Sequence, residues 1–168
     1  MPPTEAPRAA VLTISTSRAE GGGGEDESGD RLEAYAAALG ADVTVRDLIA
    51  DDRDLIADRL RRLCDEEGCR LVLTTGGTGF AADDVTPEAT LEIADREAPG
   101  IAEAMRLASR EHTPHWMLAR NVAVIRGRTL IVNFPGSPKA IAEAGEAVAA
   151  ALPHALRLLA GEPASHSH

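Results

Sequence analysis

Leu71-Val-Leu-Thr-Thr-Gly-Gly-Thr-Gly79 is the stretch whose reading decides the fold. It opens as an apolar run of the kind that fills a buried strand. It ends in Thr74 to Gly79, a segment holding only threonine and glycine. Glycine lets the backbone turn sharply and lets a ligand approach with no Cβ in the way. Successive free N–H groups in such a turn form an anion-binding nest, and threonine hydroxyls add donors. The same composition would serve a tight β-to-α turn with no ligand, because a glycine-rich turn alone is a weak motif. Downstream, Asp84-Val-Thr-Pro-Glu88 supplies a carboxylate suited to Mg²⁺ and then a helix start, with Thr86 expected as N-cap and Pro87 at the first helical position.

Working outward, Ala9 to Ser15 reads as a central strand closed by Thr16-Ser-Arg18. Gly21 to Gly24 followed by Glu25-Asp-Glu27 has little apolar area and reads as a flexible, solvated connector. Ser28 is expected to cap a helix that Gly40 stops, with Leu32, Tyr35, Ala36 and Leu39 on one face. Ala41 to Asp47 alternates like a strand, and Ala50-Asp-Asp52 opens a helix reaching about Glu67. Either Asp51 or Asp52 can cap it, and acids favour helix N-termini in general. Beyond the glycine stretch, helices are expected from Thr86 to Arg96 and from Pro99 to Ser109. His112-Thr-Pro-His115 shows no carboxylate partner in sequence and reads as a surface loop before a short helix, Trp116 to Arg120. Asn121–Arg126 and Arg128–Asn133 flank Gly127 as a β-hairpin. Asn133-Phe-Pro-Gly-Ser-Pro-Lys139 then forms a second Gly/Pro/Ser loop, with Ser137 as cap and Pro138 in the first helical position, leaving N–H groups for an anion. Pro153 is expected to interrupt the terminal helix.

Strands alternating with helices predict an α/β fold with a mainly parallel sheet, whose ligands bind at the carboxyl ends of the strands. Residues 15–18, 50–52, 75–84 and 133–139 all fall at such positions, so four loops distant in the chain converge on one candidate site.

Composition sets limits on the function. The 168 residues are 44% hydrophobic and 26% charged, ordinary for one globular domain, expected over residues 9–160 with flexible tails at 1–8 and 161–168. Aromatics make up only 2%, so base recognition by stacking has little support, and a net charge of −10 argues against a nucleic-acid surface. The first ten residues carry no long apolar stretch and no run approaches a membrane span, so the expectation is a cytoplasmic protein with no membrane contact. Cys64 and Cys69, without a second pair, read as core or helix-end residues, and His166 and His168 as part of a disordered tail.

Together, Thr74-Thr-Gly-Gly-Thr-Gly79, Asp84-Val-Thr-Pro-Glu-Ala-Thr90 and Asn133-Phe-Pro-Gly-Ser-Pro-Lys139 resemble the MogA/MoaB molybdopterin-binding family in order and spacing. Glu27-Ser-Gly-Asp30, Asp95-Arg-Glu97 and Arg126-Gly-Arg-Thr-Leu130 extend the resemblance from about Ala9 to Leu159. It implies a three-layer α/β sandwich, assembled as a homotrimer, that adenylylates molybdopterin with Mg²⁺ and ATP, releases pyrophosphate and contacts the molybdenum-insertion enzyme. Asp51 and Asp84 match the family's essential acids, with Mg²⁺ binding as their implied role. Thr75, Gly76, Gly77, Thr78 and Gly79 would cradle a phosphate, and Pro135, Gly136, Ser137 and Lys139 would close the site. Ala119 stands where many relatives carry serine, and the Gly21–Gly24 insertion departs from the pattern. The resemblance also allows a non-catalytic molybdopterin-binding protein of the MoaB type, or a domain like those of the insertion enzymes.

Overall fold

A computed structural model describes residues 5–163. Its centre is a six-stranded sheet in the order β2-β1-β3-β6-β5-β4. The strands are β1 (Arg8–Ile14), β2 (Asp42–Ile49), β3 (Leu71–Thr75), β4 (Arg96–Glu97), β5 (Ala123–Arg126) and β6 (Thr129–Phe134). β2, β1, β3 and β6 run parallel, while β5 returns antiparallel to β6 and β4 pairs antiparallel with β5. The hairpin about Gly127 is present, with that residue at φ +56°.

The seven helices among the described residues are α1 (Thr16–Ala19), α2 (Glu27–Ala38), α3 (Arg53–Asp65), α4 (Thr86–Glu92), α5 (Pro99–Ser109), α6 (Pro138–Val148) and α7 (Ala151–Leu159). A single 3-10 turn, Trp116–Leu118, occupies the expected short helix. Alternate residues of β1 enter opposite cores, which is why its run is continuously apolar. Ala9 and Val11 join Leu32, Met105, Ile141 and Leu152 from α2, α5, α6 and α7. Ala10, Leu12 and Ile14 face Ile56, Leu60, Leu63 and Ile93 on the α3–α4 side. The result is three layers, with each buried leucine or isoleucine contributing roughly 1.5–3 kcal/mol. Cys69 lies in the second core, and burial pushes the half-buried Cys64 thiol up to about 11.

Several local expectations are corrected. Asp26 caps α2 by accepting from the Gly29 N–H, whereas the Ser28 hydroxyl donates to the Gly136 carbonyl at 2.7 Å. α4 starts at Thr86 behind Val85, so Thr86 is not its cap, and it stops at Glu92, because Arg96 is needed to pair with Ile125 at the sheet edge. The C-terminal break falls at Ala149–Ala150, while Pro153 sits inside the first turn of α7, where a missing N–H costs nothing. Thr16–Ala19 forms a helical turn, and Arg18 Nη1 donates to the carbonyls of Gly23 and Gly24 at 2.8 and 3.0 Å and to that of Glu25, giving the glycine-rich connector a defined path. Arg8 already belongs to β1, and residues 1–4 and 164–168, including His166 and His168, lie outside the described residues.

Candidate active site

The four parallel strands end side by side. Ile14 pairs with Ile49, Thr13 with Thr75, and Thr75 with Phe134. The chain steps from β1 outward to β2 and then back across β1 to β3, so the sheet reverses its order between β1 and β3. That reversal opens a crevice at the carboxyl ends. The loops after β1, β2, β3 and β6 all border it.

Two glycines make the turn after β3. Gly76 has φ +97°, and a Cβ there would lie 2.2 Å from the Ile14 carbonyl oxygen. Gly77 has φ +69°, and its Cβ would lie 2.3 Å from Thr86 Oγ1 and 3.1 Å from Asp51 Oδ1. Both positions therefore combine a left-handed backbone with close approach, a demand only glycine meets. Gly136 sits against Gly76, joining the two loops. The N–H groups of Gly77, Thr78 and Gly79 make no hydrogen bond to protein among the described residues.

The hydroxyls of Thr74, Thr75, Thr86 and Thr90 are engaged within the protein. Thr75 Oγ1 donates to the Pro135 carbonyl at 2.7 Å, tying the end of β3 to the end of β6. Thr86 Oγ1 donates to Gly76 O at 3.0 Å, and Thr86 N–H donates to Gly77 O at 3.1 Å. Thr74 and Thr90 share the buried Asn133 amide at 3.0 and 3.1 Å. Thr78 is buried and lines a cavity of about 30 Å³ with Ala119, Asn121 and Pro135.

The acids divide clearly. Asp52, not Asp51, caps α3 by accepting from the Leu55 N–H at 3.0 Å. Asp51 reaches across to β1's loop, where its Oδ2 accepts from Thr16 N–H at 2.9 Å and Thr16 Oγ1 at 3.0 Å. Asp84 Oδ2 accepts from Ala81 N–H at 3.0 Å and stands 2.9 Å from where a Cβ on Gly79 would be. Each carboxylate thus hydrogen-bonds the protein through Oδ2, and its Oδ1 accepts no hydrogen bond among the described residues. Mg²⁺ prefers one or two carboxylates completed by phosphate oxygens and water, and this donor set fits it. No group of three or more His, Cys, Asp or Glu side chains able to enclose a metal occurs among the described residues.

Of the second loop, Pro135 and Gly136 give their carbonyls to Thr75 and Ser28, and Ser137 caps α6 by accepting from Ala140 N–H at 3.2 Å. Lys139 is 86% exposed, with Nζ 4.0 Å from Glu143 Oε1. Glu143 Oε1 also lies 3.5 Å from His112 Nδ1, so this histidine does have a carboxylate neighbour, supplied by α6 rather than by its own segment. The sequence alone assigns no site role to Arg120 or Glu88. Arg120 Nε donates to Gly79 O and Nη2 to Asp84 O, both at 2.7 Å, and Nη1 meets the Glu88 carboxylate. The only sequence signal was their place inside or beside motifs, since the contact spans 32 residues.

The family profile described as "Probable molybdopterin binding domain" matches residues 10–154. The chain belongs to this family. It is 47% identical over 115 residues to a Helicobacter pylori (strain J99) protein named molybdopterin adenylyltransferase, the match covering 68% of this chain and 65% of that one. A Haemophilus influenzae protein of the same name is 55% identical over 101 residues, covering 60% of this chain and 51% of its own length. The matches thus span less than two thirds of the length of these curated relatives. The crystal structure of the molybdopterin biosynthesis enzyme MoaB from Thermus thermophilus superposes with a TM-score of 0.86 at 46% identity, over 93% of this chain and 98% of that one. In this molybdopterin-binding family member, the mostly parallel sheet therefore has an experimental counterpart in fold.

Proposed function

We propose that this protein is a molybdopterin adenylyltransferase, transferring AMP from ATP to the molybdopterin phosphate with release of pyrophosphate. The observation that supports this reading is the turn Gly77–Gly79, whose N–H groups have no protein partner among the described residues, with Asp51 beside Gly77 and Asp84 beside Gly79. Two anionic phosphates must meet in line, and neutralising and aligning them is most of the catalytic task. The names of the curated relatives support the same assignment.

In this reading, Gly76, Gly77, Thr78 and Gly79 bind phosphate through the main chain, while Thr75 and Pro135 hold the turn against its neighbour loop. Gly136 and Ser137 place the N-terminus of α6 beside it, and Lys139 adds an exposed positive charge. Asp51 and Asp84 would hold Mg²⁺, which supplies charge neutralisation at the phosphates when bound. Asp51 is oriented by Thr16, and Asp84 by the Ala81 N–H. We further infer a homotrimer working in the cytoplasm and contacting the molybdenum-insertion enzyme, in line with the family resemblance. No helix among the described residues is long and apolar enough to cross a membrane.

The deciding experiment incubates the protein with molybdopterin and Mg²⁺-ATP and detects product by mass. Adenylylated pterin with stoichiometric pyrophosphate is the expected result. Tight pterin binding without pyrophosphate would replace the enzyme with a binding protein.

A further inference from the structure

Arg120 leaves the 3-10 turn with its own N–H donating to Thr78 O at 2.9 Å. Its guanidinium then reaches Gly79 O, Asp84 O and the Glu88 carboxylate. One planar group therefore joins the exit of the glycine turn, the main chain of Asp84 and the first turn of α4. A guanidinium presents its donors in a fixed fork, which a lysine ammonium cannot reproduce.

Glu88 is built to hold that group. Its Oε2 is buried without a hydrogen-bond partner among the described residues. The Arg120 bond holds the Glu88 carboxyl below the usual carboxylate range. Oε1 takes the Arg120 contact while Oε2 is enclosed, so the pair fixes the carboxylate's orientation as well as the guanidinium's. Among the described residues, Asp84's carboxylate is steered by the Ala81 N–H and by where its main chain is anchored.

We propose that Arg120 is a positioning residue for this site: through the carbonyls of Gly79 and Asp84 it holds the phosphate-binding turn and the Asp84 carboxylate in one fixed relation, with Glu88 locking the guanidinium. The catalytic part of the proposal rests on the adenylyltransferase reading, whereas the mechanical part concerns the loop alone.

The test uses the full chain, with Arg120→Lys, Arg120→Gly and the pair Arg120→Lys/Glu88→Gln, which leaves no carboxylate without its guanidinium partner. Backbone amide exchange is read at Thr86, whose N–H closes onto Gly77 O, and at Ile131 in the sheet as a control. Arg120→Lys is expected to speed exchange at Thr86 at least about tenfold and leave Ile131 unchanged. With Mg²⁺-ATP and molybdopterin, kcat is expected to fall at least about tenfold while KM for the pterin stays within about twofold. Millimolar guanidinium, but not ammonium, is expected to restore activity to Arg120→Gly. Unchanged Thr86 exchange in both lysine variants would overturn the proposal, whatever the protein catalyses. So would a loss of rate that follows the melting temperature and resists guanidinium. A parent protein that makes no adenylylated pterin would instead remove the adenylyltransferase reading and leave the exchange result to decide Arg120.

Discussion

Asp84 is a half-buried acid whose side chain has one protein bond, to the Ala81 N–H, and an asparagine oxygen accepts that bond equally well. Asp84→Asn is therefore expected to leave the melting temperature nearly unchanged while lowering adenylylation at least about a hundredfold, the scale of losing a transition-state electrostatic contact. A variant that forms adenylylated pterin at the parent rate would take Asp84 out of the chemistry. Lys139 carries less. Its 86% exposed ammonium makes only a distant contact with Glu143, so Lys139→Ala is expected to weaken Mg²⁺-ATP binding by no more than about fivefold, within the range of exposed ion pairs. Titration calorimetry reads the change, and unchanged affinity for both ATP and pterin removes Lys139 from the site. Gly77 behaves oppositely, because its left-handed φ and the 2.3 Å approach of Thr86 Oγ1 penalise any Cβ. Gly77→Ala is expected to cost about 2 kcal/mol or more of stability in denaturant unfolding, with loss of nucleotide binding.

At the scale of elements, the start of α2 shows how a charged loop is fastened to the sheet. Asp26 accepts from Thr13 Oγ1 at 2.6 Å and from Gly29 N–H at 3.0 Å, and pairs with Arg46 of β2 at 3.2 Å. Burial raises its carboxyl pKa, but these three partners together outweigh burial, and the net shift is downward. A carboxylate with a depressed folded pKa contributes stability that is complete above its unfolded value, about 3.9, and is lost as pH falls through the folded value. Thr13→Val removes the hydroxyl donor and is expected to cost about 1–2 kcal/mol at pH 7. The gap between variant and parent should narrow below about pH 4, as Asp26 is protonated in the unfolded chain and then in the folded one. A gap that stays constant from pH 7 to pH 3 would show that Asp26's charge is not what Thr13 stabilises.

For the whole molecule, the side of α5 and its following turn carries Leu107, Met117 and Leu118 at 57%, 63% and 43% exposure. Exposed large apolar side chains of this kind favour contact with another chain when they lie together. The homotrimer proposal places sedimentation at three times the 17.6 kDa chain mass at micromolar concentration. A monomer of 17.6 kDa under those conditions would dismiss it.

Read alone, the chain already contained the strand β3, the glycine turn behind it, the helix over Pro99–Ser109, the Gly127 hairpin and the Ser137 cap. Those features follow from local causes: apolar runs, glycine's left-handed freedom, proline's fixed φ and short polar caps. The convergence of the four loops was legible too, because parallel strands must present their carboxyl ends on one side. Which partner each polar side chain takes was not. Thr86 looked like a cap by local rules, yet its hydroxyl serves Gly76, ten residues away. Asp51 and Asp52 are neighbours of identical chemistry, and only the approach of β1's loop sends one to Thr16 and leaves the other to cap α3. Arg120 acquires its role from carbonyls 36 and 41 residues distant in the chain. Local conformation is set by interactions within a few residues, so the sequence determined it directly. Hydrogen-bond partners across the crevice exist only after the sheet has closed, so the tertiary structure decided them.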